Sequence, residues 1–454
     1  MAGRRRTAGW SAPTLVLALA ALAHAAPPVP LGPCGPIGRT FDPVELPAAR
    51  LDRLGGPSIA RLGLLAFRGG SGAPIPFQID ERIGSKLALP EGPEPLQDDK
   101  PGIFDPDDNL VFMACDAGDQ VSPETLARAL TAAGTVSAWR EIRIEDPYDH
   151  RAAFVYLVVA EHPPISDRRY VEYDAAHDIV STARYRVGLV GALPVYFALA
   201  LAGPLGPNLL DGLRLRAQGT LRAGLATKTL DEQQGRHELI AWKAGPVRVV
   251  RRSRHHIYIG LGIYLTAGLA HTYFYAEHIF GPGSLKLPFS PQLFFRDINA
   301  WGGADFRDLR GWRYHAPGVP PKGFRIDGHM DAAERAFDAK GGWFLLEHGD
   351  MAFLVATSLS ESLAKVLTLR PVYLDDETAA APPERVVGSV PLVGFRARDV
   401  QRLPAGRYRF QLRIVSLRGY RPGDEAAVLG RIEHELTADV TARSGPAAAP
   451  AAGR

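Results

Sequence analysis

The chain has 454 residues, of which 52 are basic and 49 acidic, and it contains two cysteines, 47 glycines and 38 prolines. Three of the basic residues, Arg4 to Arg6, belong to an N-terminal segment that is predicted below to be removed as a signal peptide. The remaining chain has 49 basic and 49 acidic residues, so it lacks the excess of positive charge that a nucleic-acid-binding protein needs. The length allows two or three domains, and the many glycines and prolines predict frequent turns.

The first 25 residues have the order of a secretory signal peptide. A basic stretch, Arg4 to Arg6, precedes an apolar run from Leu15 to Ala23. The run ends in a cleavage motif with small residues, Ala23-His24-Ala25. The apolar run is far shorter than the roughly 20 residues of a membrane-spanning helix. We therefore expect cleavage after Ala25, a periplasmic or secreted location, and no transmembrane anchor after cleavage.

The cysteines Cys34 and Cys115 belong to a compartment that permits disulfides. A single bridge and two buried thiols are both compatible with their spacing. No Cys-x-x-Cys-His motif and no Cys/His cluster with zinc spacing occurs in the sequence, so covalent haem and a structural zinc site are not predicted.

Two acidic motifs form the most distinctive pairing in the chain: Pro74-Ile75-Pro76-Phe77-Gln78-Ile79-Asp80 and Phe104-Asp105-Pro106-Asp107-Asp108-Asn109-Leu110-Val111-Phe112. The pairing resembles a pattern in uncharacterised secreted bacterial proteins, some of which are similar to polysaccharide-processing proteins with a galactose-mutarotase-like β-supersandwich fold. The resemblance covers about residues 59 to 118. Downstream, Gly245-Pro246-Val247-Arg248 before a long apolar segment is compatible with the same fold. The resemblance implies fold and compartment and assigns no catalytic residue.

Asp105, Asp107 and Asn109 bring several oxygen ligands into one turn, as a calcium loop does. Leu110 stands where such a loop has glycine, and no glutamate follows at EF-hand spacing. The alternative is a plain turn capped by Asp and Asn side chains. Calcium is the one cofactor that the sequence suggests, and otherwise we expect none.

Strict alternation of apolar and polar residues predicts strands in which one side faces a core. In Trp139 to Glu145, Ile142 and Ile144 would face inward and Glu141 outward, and the segment forms a hairpin with Ala152 to Ala160. The other strand-like segments are Pro246 to Leu265, Met351 to Ser358, Leu363 to Tyr373, Tyr408 to Ile414 and Ile432 to Val440.

Few segments predict helices. One helix begins at the N-cap Ser122 and ends before Gly134, and a second covers Asp331 to Ala339. Val187 to Leu205 is apolar and nearly long enough to span a membrane, but its glycines and Pro194 favour buried strands.

These patterns predict an all-β protein, a large antiparallel β-sandwich or supersandwich with minor helix. We expect an N-terminal β domain with one short helix over residues 26–165, a large β-sandwich domain over 166–443, and a disordered tail over 444–454.

The first candidate site is the segment from His271 to His278. His271, Tyr273, Tyr275 and Glu277 alternate there, so a strand would project all four from one face. An imidazole, two phenols and a carboxylate can act as general acid and base groups or as a platform for stacking sugars. The alternative is an ordinary outer face of a sheet.

The second candidate is the pair Asp327 and Asp331, close in sequence to Trp301, Trp312 and Tyr314. Paired carboxylates near exposed aromatic rings suit glycoside chemistry. The alternative is a turn at Asp327-Gly328 followed by Asp331 as a helix cap.

The leading hypothesis is an exported β-sandwich protein that binds an extracellular or envelope polysaccharide, and whether it also processes that polysaccharide is left open. If it is an enzyme, we expect a carbohydrate-active lyase or hydrolase. The alternative is a non-catalytic scaffold or accessory protein of the cell envelope. An enzyme needs a concave pocket where the candidate residues converge, whereas a scaffold needs none.

Overall fold

A computed structural model describes residues 27–51, 54–200, 205–222, 226–260, 263–379 and 387–445. The signal peptide and nearly all of the tail predicted from the sequence lie outside these described residues. Antiparallel sheets make up most of the described chain and helices are few, which confirms the all-β class with minor helix.

The first nine strands lie before residue 165. They are β1 (Pro43–Pro47), β2 (Leu62–Arg68), β3 (Ser71–Pro74), β4 (Phe77–Asp80), β5 (Arg82–Ile83), β6 (Lys86–Leu87), β7 (Asn109–Met113), β8 (Val136–Asp146) and β9 (Arg151–Ala160). Helix α1 (Pro123–Ala129) starts where the sequence predicts it, because the Ser122 hydroxyl accepts a hydrogen bond from the Thr125 amide.

The remaining strands and helices form the larger part of the molecule. The strands are β10 (Val171–Asp174), β11 (Ile179–Thr182), β12 (Tyr185–Val190), β13 (Leu193–Leu199), β14 (Leu210–Leu221), β15 (Thr227–Asp231), β16 (Gly235–Ala244), β17 (Val249–Gly260), β18 (Ile263–Phe274), β19 (His278–Leu287), β20 (Phe295–Phe306), β21 (Arg313–His315), β22 (Phe324–Arg325), β23 (Trp343–His348), β24 (Met351–Leu359), β25 (Thr368–Leu374), β26 (Leu392–Arg398), β27 (Gly406–Arg418) and β28 (Thr437–Gly445). The helices are α2 (Ala332–Arg335), α3 (Glu361–Ala364) and α4 (Asp424–Glu433).

The strands before residue 165 form, together with β28 from the end of the described chain, a five-stranded sheet of order β28-β8-β9-β2-β3 and a three-stranded sheet of order β1-β7-β4. We call these two sheets the N-terminal domain and the rest of the molecule the large domain. The predicted hairpin is present, and Ile142 and Ile144 are completely buried in the core between these sheets. The prediction that Glu141 faces solvent is wrong, because its side chain is buried on the opposite face of the sheet. The Tyr156 hydroxyl and the Gln120 amide both donate hydrogen bonds to its carboxylate, so both faces of this sheet are covered.

The large domain packs a nine-stranded sheet against a five-stranded sheet. The nine-stranded sheet has the order β16-β17-β18-β19-β27-β24-β23-β21-β22. The five-stranded sheet, called the groove sheet below, has the order β15-β14-β20-β26-β25. Phe306 and Val393 of the groove sheet share one core with Phe353 and Val355 of the nine-stranded sheet.

A four-stranded sheet, β10-β11-β12-β13, adds Val187 and Leu199 to the same core. The apolar segment after Val187 therefore forms two strands as far as residue 200, as its glycines indicate. Within the described ranges, none of the helices has the length and apolar character that crossing a bilayer requires.

Two predicted strands differ from the structure at their starts. The segment Ile432 to Val440 begins as the last turn of α4, and its strand starts only at Thr437. The segment Leu363 to Tyr373 likewise begins in α3, and its strand starts at Thr368. In both cases a short helix packs its own apolar residue, Val428 or Leu363, against the sheet, a tertiary contact that alternation alone does not encode.

A disulfide joins Cys34 to Cys115 across 81 positions of sequence. It ties the segment before β1 to the short 3-10 helix that follows β7, next to the domain core. Arg68 adds to this junction, since its guanidinium donates to the carbonyl oxygens of Pro33 and Cys115.

We expect the double variant Cys34→Ser/Cys115→Ser to lower the free energy of unfolding by about 3 to 5 kcal/mol, because the bridge restricts a long loop of the unfolded chain. Urea unfolding of the variant, and of the wild type with and without reductant, measures the loss. Equal midpoints for oxidised and reduced wild type would contradict a stabilising role.

Candidate functional site

The two sequence motifs at residues 74–80 and 245–248 meet at the boundary between the domains. The Gln78 side-chain oxygen accepts hydrogen bonds from the backbone amides of Val247 and Arg248, at 3.2 and 3.0 Å. A Cβ atom on Gly245 would lie 2.1 Å from that oxygen, so only glycine admits the glutamine. The distinctive residues of both motifs therefore join the N-terminal domain to the nine-stranded sheet.

Arg248 is the centre of this contact, and it is only 1% exposed. Its Nε donates to Asp80 at 2.9 Å, and its other nitrogens contact Asp80, Glu45 and the Tyr275 hydroxyl. Gln78 donates to the second oxygen of Asp80 at 2.8 Å. We call Glu45, Gln78, Asp80, Arg248 and Tyr275 the interface cluster.

The charges of the cluster compensate one another. Burial acts to raise the pKa of Asp80, but the positive charges of Arg248 and Lys243 outweigh it and hold that pKa below its ordinary value. Burial, with the nearby carboxylate of Glu45, raises the pKa of Tyr275 and keeps its phenol neutral. The cluster is thus an ion-pair network in which Asp80, Arg248 and Tyr275 are buried and Glu45 lies at its edge, in contact with solvent.

Three of the residues predicted for catalysis lie at this interface. Tyr273 and Tyr275 both pack beneath the Arg248 guanidinium, which lies 4.8 and 5.6 Å from their ring centroids. The ring of His271 lies 6.1 Å from that of Tyr273, and its Nε2 accepts a hydrogen bond from Arg252. Burial lowers the pKa of His271 to about 4. The predicted shared face exists here, but it faces the N-terminal domain instead of solvent.

Glu277 lies apart from the other three. The strand ends at Phe274, and the Glu277 carboxylate forms a buried ion pair with Arg184, with Nε and Oε1 2.9 Å apart. The next residue, His278, is 1% exposed and stacks on Tyr275 with ring centroids 4.5 Å apart. The end of the alternating segment is therefore used for packing between sheets.

Asp327 and Asp331 lie in the loop between β22 and α2. The Asp375 carboxylate accepts bonds from the amides of Asp327 and Gly328, and Asp331 caps α2 by accepting from the Glu334 amide at 2.8 Å. The helix is shorter than the sequence predicts, ending at Arg335.

The aromatic residues near this loop are not exposed. Trp312 and Tyr314 are 5% and 0% exposed and belong to the large core, which corrects the expectation of exposed rings beside the carboxylates. The contacts of the two aspartates are those of a turn and a helix cap.

The acidic motif at 105–109 is also occupied by local hydrogen bonds. Asp105 forms an ion pair with Lys100 at 2.9 Å and accepts a hydrogen bond from the backbone amide of Asp107. Asp107 accepts a hydrogen bond from the backbone amide of Gly84. Asn109 is the first residue of β7. No group of three or more His, Cys, Asp or Glu side chains in the described part of the chain is arranged to hold a metal ion. The contacts are those of a capped turn, and calcium binding stays a prediction.

An open polar surface occurs instead on the outer face of the groove sheet. Strand pairing aligns two neighbouring rows of side chains across its five strands. In strand order the rows are Asp231, Arg216, Trp301, Arg396 and Arg370, and Thr229, Gln218, Asn299, Arg398 and Thr368. At about 4.8 Å per strand the rows extend over roughly 19 Å.

The middle of these rows forms a cavity of about 510 Å³, lined by Gln218, Asn299, Trp301, Arg396 and Arg398. We call this cavity the groove. Gln218, Asn299 and Arg398 are exposed, while Trp301 and Arg396 are half-buried. An indole ring surrounded by amide and guanidinium donors offers an apolar platform with polar groups at its edges.

Glycine shapes the sheet beside the groove. Gly303 and Gly394 occupy the row next to Trp301 and Arg396, and a Cβ on Gly394 would lie 2.1 Å from the Gly302 carbonyl oxygen. Only glycine permits β20 and β26 to approach so closely on this face.

Sequence reasoning finds Trp301 but misses the rest of the groove. Its residues come from three strands that are far apart in the sequence: Gln218 and Asn299 are 81 positions apart, and Trp301 and Arg396 are 95 apart. The one available signal is alternation within Arg214-Leu215-Arg216-Ala217-Gln218 and within Phe395-Arg396-Ala397-Arg398. Alternation identifies each polar face, but it does not identify which strands become neighbours.

No protein-family model matches the chain, and no curated protein matches its sequence. Among solved structures, it is similar to an alpha-mannosidase from Enterococcus faecalis V583, with a TM-score of 0.38 and 10% identity over 71% of this chain. The match spans less than half, 43%, of the mannosidase chain. A putative aldose 1-epimerase from Escherichia coli K12 matches with a TM-score of 0.27 and 9% identity, over 55% of this chain and 99% of the epimerase. At these TM-scores and identities, neither likeness carries an argument about the fold or the activity of this chain.

We expect Arg248→Met to lower the free energy of unfolding by roughly 3 to 5 kcal/mol, because it leaves the buried Asp80 carboxylate without its main partner. Glu45→Gln is the matched control: its side chain is 40% exposed, so we expect a smaller loss. Urea unfolding measures both. Losses of equal size would show that burial of Asp80 is not what makes Arg248 necessary.

We expect the stability of the wild type relative to His278→Phe to decrease as pH falls from about 6.5 towards 3. Burial lowers the pKa of His278 to about 3, whereas an unfolded histidine titrates near 6.5. Between these values only the unfolded chain binds the proton, so acid favours unfolding of the wild type. Urea unfolding at pH 7, 5 and 4 tests this, and a pH-independent difference contradicts it.

Proposed function

We propose that this protein is an exported β-sandwich protein that binds an extracellular or envelope polysaccharide in the groove. The observation that carries the proposal is the position of Trp301 in the middle of an open sheet face, with amides and guanidinium groups on the neighbouring strands. Sugar rings have apolar C–H faces that stack on indole and hydroxyl edges that bond to amides.

The shape of the surface favours a polymer. The rows cross the full width of the groove sheet, and the cavity is open instead of enclosing its contents. A chain of sugars can extend along such a surface and leave at either edge, whereas a single small molecule would expose most of its area to water. The signal peptide predicted from the sequence supports a location where such polymers occur.

The proposal is for binding and not for bond cleavage. His271, Tyr273 and Tyr275 are engaged by Arg252 and Arg248 at the interface between domains. They do not converge in the groove with Trp301. The enzyme hypothesis needs these residues to converge in one pocket. Because they lie away from the groove, the groove is the surface to test for binding.

The test is a glycan-array screen of the protein followed by titration of the polysaccharides that bind. We expect Trp301→Ala to weaken binding by about tenfold or more, since removal of a central aromatic contact has such an effect, and Trp301→Phe to retain part of it.

His271→Ala and Tyr273→Phe serve as controls outside the groove, and we expect both to bind as the wild type does. Absence of binding to every glycan would reject the proposal in favour of a scaffold protein. Wild-type affinity in Trp301→Ala would place any binding site elsewhere.

A further inference from the structure

Arg396 and Arg398 of the groove differ from two neighbouring arginines of the same sheet, Arg214 and Arg370, by having no carboxylate partner. Arg214, in the row next to Trp301, pairs with Asp305 at 2.7 Å and with Asp211 at 3.4 Å. At the edge of the sheet, Arg370 pairs with Asp338 at 2.9 Å. Over the described residues, no acidic side chain lies within ion-pair distance of Arg396 or Arg398. Two positive charges therefore remain uncompensated in the cavity.

Arg216, which lies two strands from Arg396 in the same row, adds a third positive charge. Its guanidinium lies 5.9 Å from the Trp301 ring centroid, and its buried Nε has no hydrogen-bond partner in the described structure. An unpaired buried donor of this kind costs free energy unless a ligand or water satisfies it. Arg216 faces Trp301 in the strand pairing, so its guanidinium lies next to any ligand that binds in the groove.

Two carboxylates lie close to these arginines in register, and both accept hydrogen bonds from other groups. Asp231 faces Arg216 across β14 and β15 but accepts a hydrogen bond from the Gln233 amide as the cap of a short turn. Asp297, one row beyond Asn299, accepts bonds from the amide and hydroxyl of Thr220. The five side chains that line the groove thus include two positive charges and no carboxylate, although the chain without its predicted signal peptide is formally neutral.

We propose, on the basis of the function proposed above, that the polysaccharide bound in the groove is anionic and that Arg216, Arg396 and Arg398 bind its acidic groups. A guanidinium donates two parallel hydrogen bonds to a carboxylate or a sulfate, the two anionic groups common to acidic polysaccharides. Arg396 and Arg398 stand two residues apart on one strand, about 7 Å, and Arg216 lies about 10 Å away across the sheet. This spacing suits charges that repeat along a sugar chain.

The test compares probes that differ only in charge. Oligogalacturonate is matched with its fully methyl-esterified form, and dextran sulfate with dextran. We expect the protein to bind at least one anionic probe and neither neutral partner. The two pairs distinguish carboxylate from sulfate recognition. Binding of the anionic probe is expected to weaken as NaCl is raised from about 0.05 to 0.5 M, because the arginines lie near solvent.

The matched variants are Arg396→Gln/Arg398→Gln in the groove and Arg407→Gln/Arg409→Gln on β27, which remove the same charge from exposed positions outside it. We expect the first pair to weaken binding of the anionic probe by about a hundredfold, tenfold for each charged contact, and the second to leave it unchanged. Circular dichroism and urea unfolding confirm that both fold.

The outcomes separate the two proposals. Equal binding of the charged and neutral members of a pair, or equal losses in the two double variants, overturns the anionic assignment and leaves polysaccharide binding intact. Failure to bind any probe or any glycan of the array overturns both.

Discussion

The structure depends on one buried contact between charged groups, that of Arg248 with Asp80. Neither residue has access to water, and each would be costly to bury alone, so the two domains can be packed only when both are in place. Gln78 orients Asp80 by donating a hydrogen bond to it, and it accepts a hydrogen bond from the backbone amide of Arg248. The same few side chains therefore fix the position of β4 relative to β17. The contact accounts for the presence of charged residues in segments that otherwise alternate like ordinary strands.

This contact divides the polar residues of the molecule into two kinds. At the domain interface, charges are paired, aromatic rings are stacked beneath a guanidinium, and little surface is left for a ligand. In the groove, Arg396 and Arg398 lack carboxylate partners and the aromatic ring of Trp301 borders solvent. Residue type is similar in both places, and the difference lies in what the neighbouring strands supply. Satisfied polar groups stabilise a fold, whereas unsatisfied ones in a cavity indicate a binding surface.

Local patterning predicts the strands well, because side chains that alternate between a core and another environment leave a period of two. It identifies the hairpin of β8 and β9, the strand β27 and the cap of α1. It does not distinguish solvent from a second layer, and for this reason Glu141 and Tyr273 face protein instead of water. The groove is beyond sequence reasoning for a related cause, since its residues become neighbours only through pairings of β14, β20 and β26 over long separations.

The pairing of β28 with β8 has a consequence for how the chain folds. The strand that begins at Thr437 completes a sheet whose other members end by Ala160, so the residues between them are inserted between two segments of one sheet. Leu436, Ala438 and Val440 pack against the N-terminal core, which therefore stays incomplete until synthesis has passed them. Closure of such a distant pairing is slow compared with formation of hairpins. The N-terminal domain, although made first, becomes complete last.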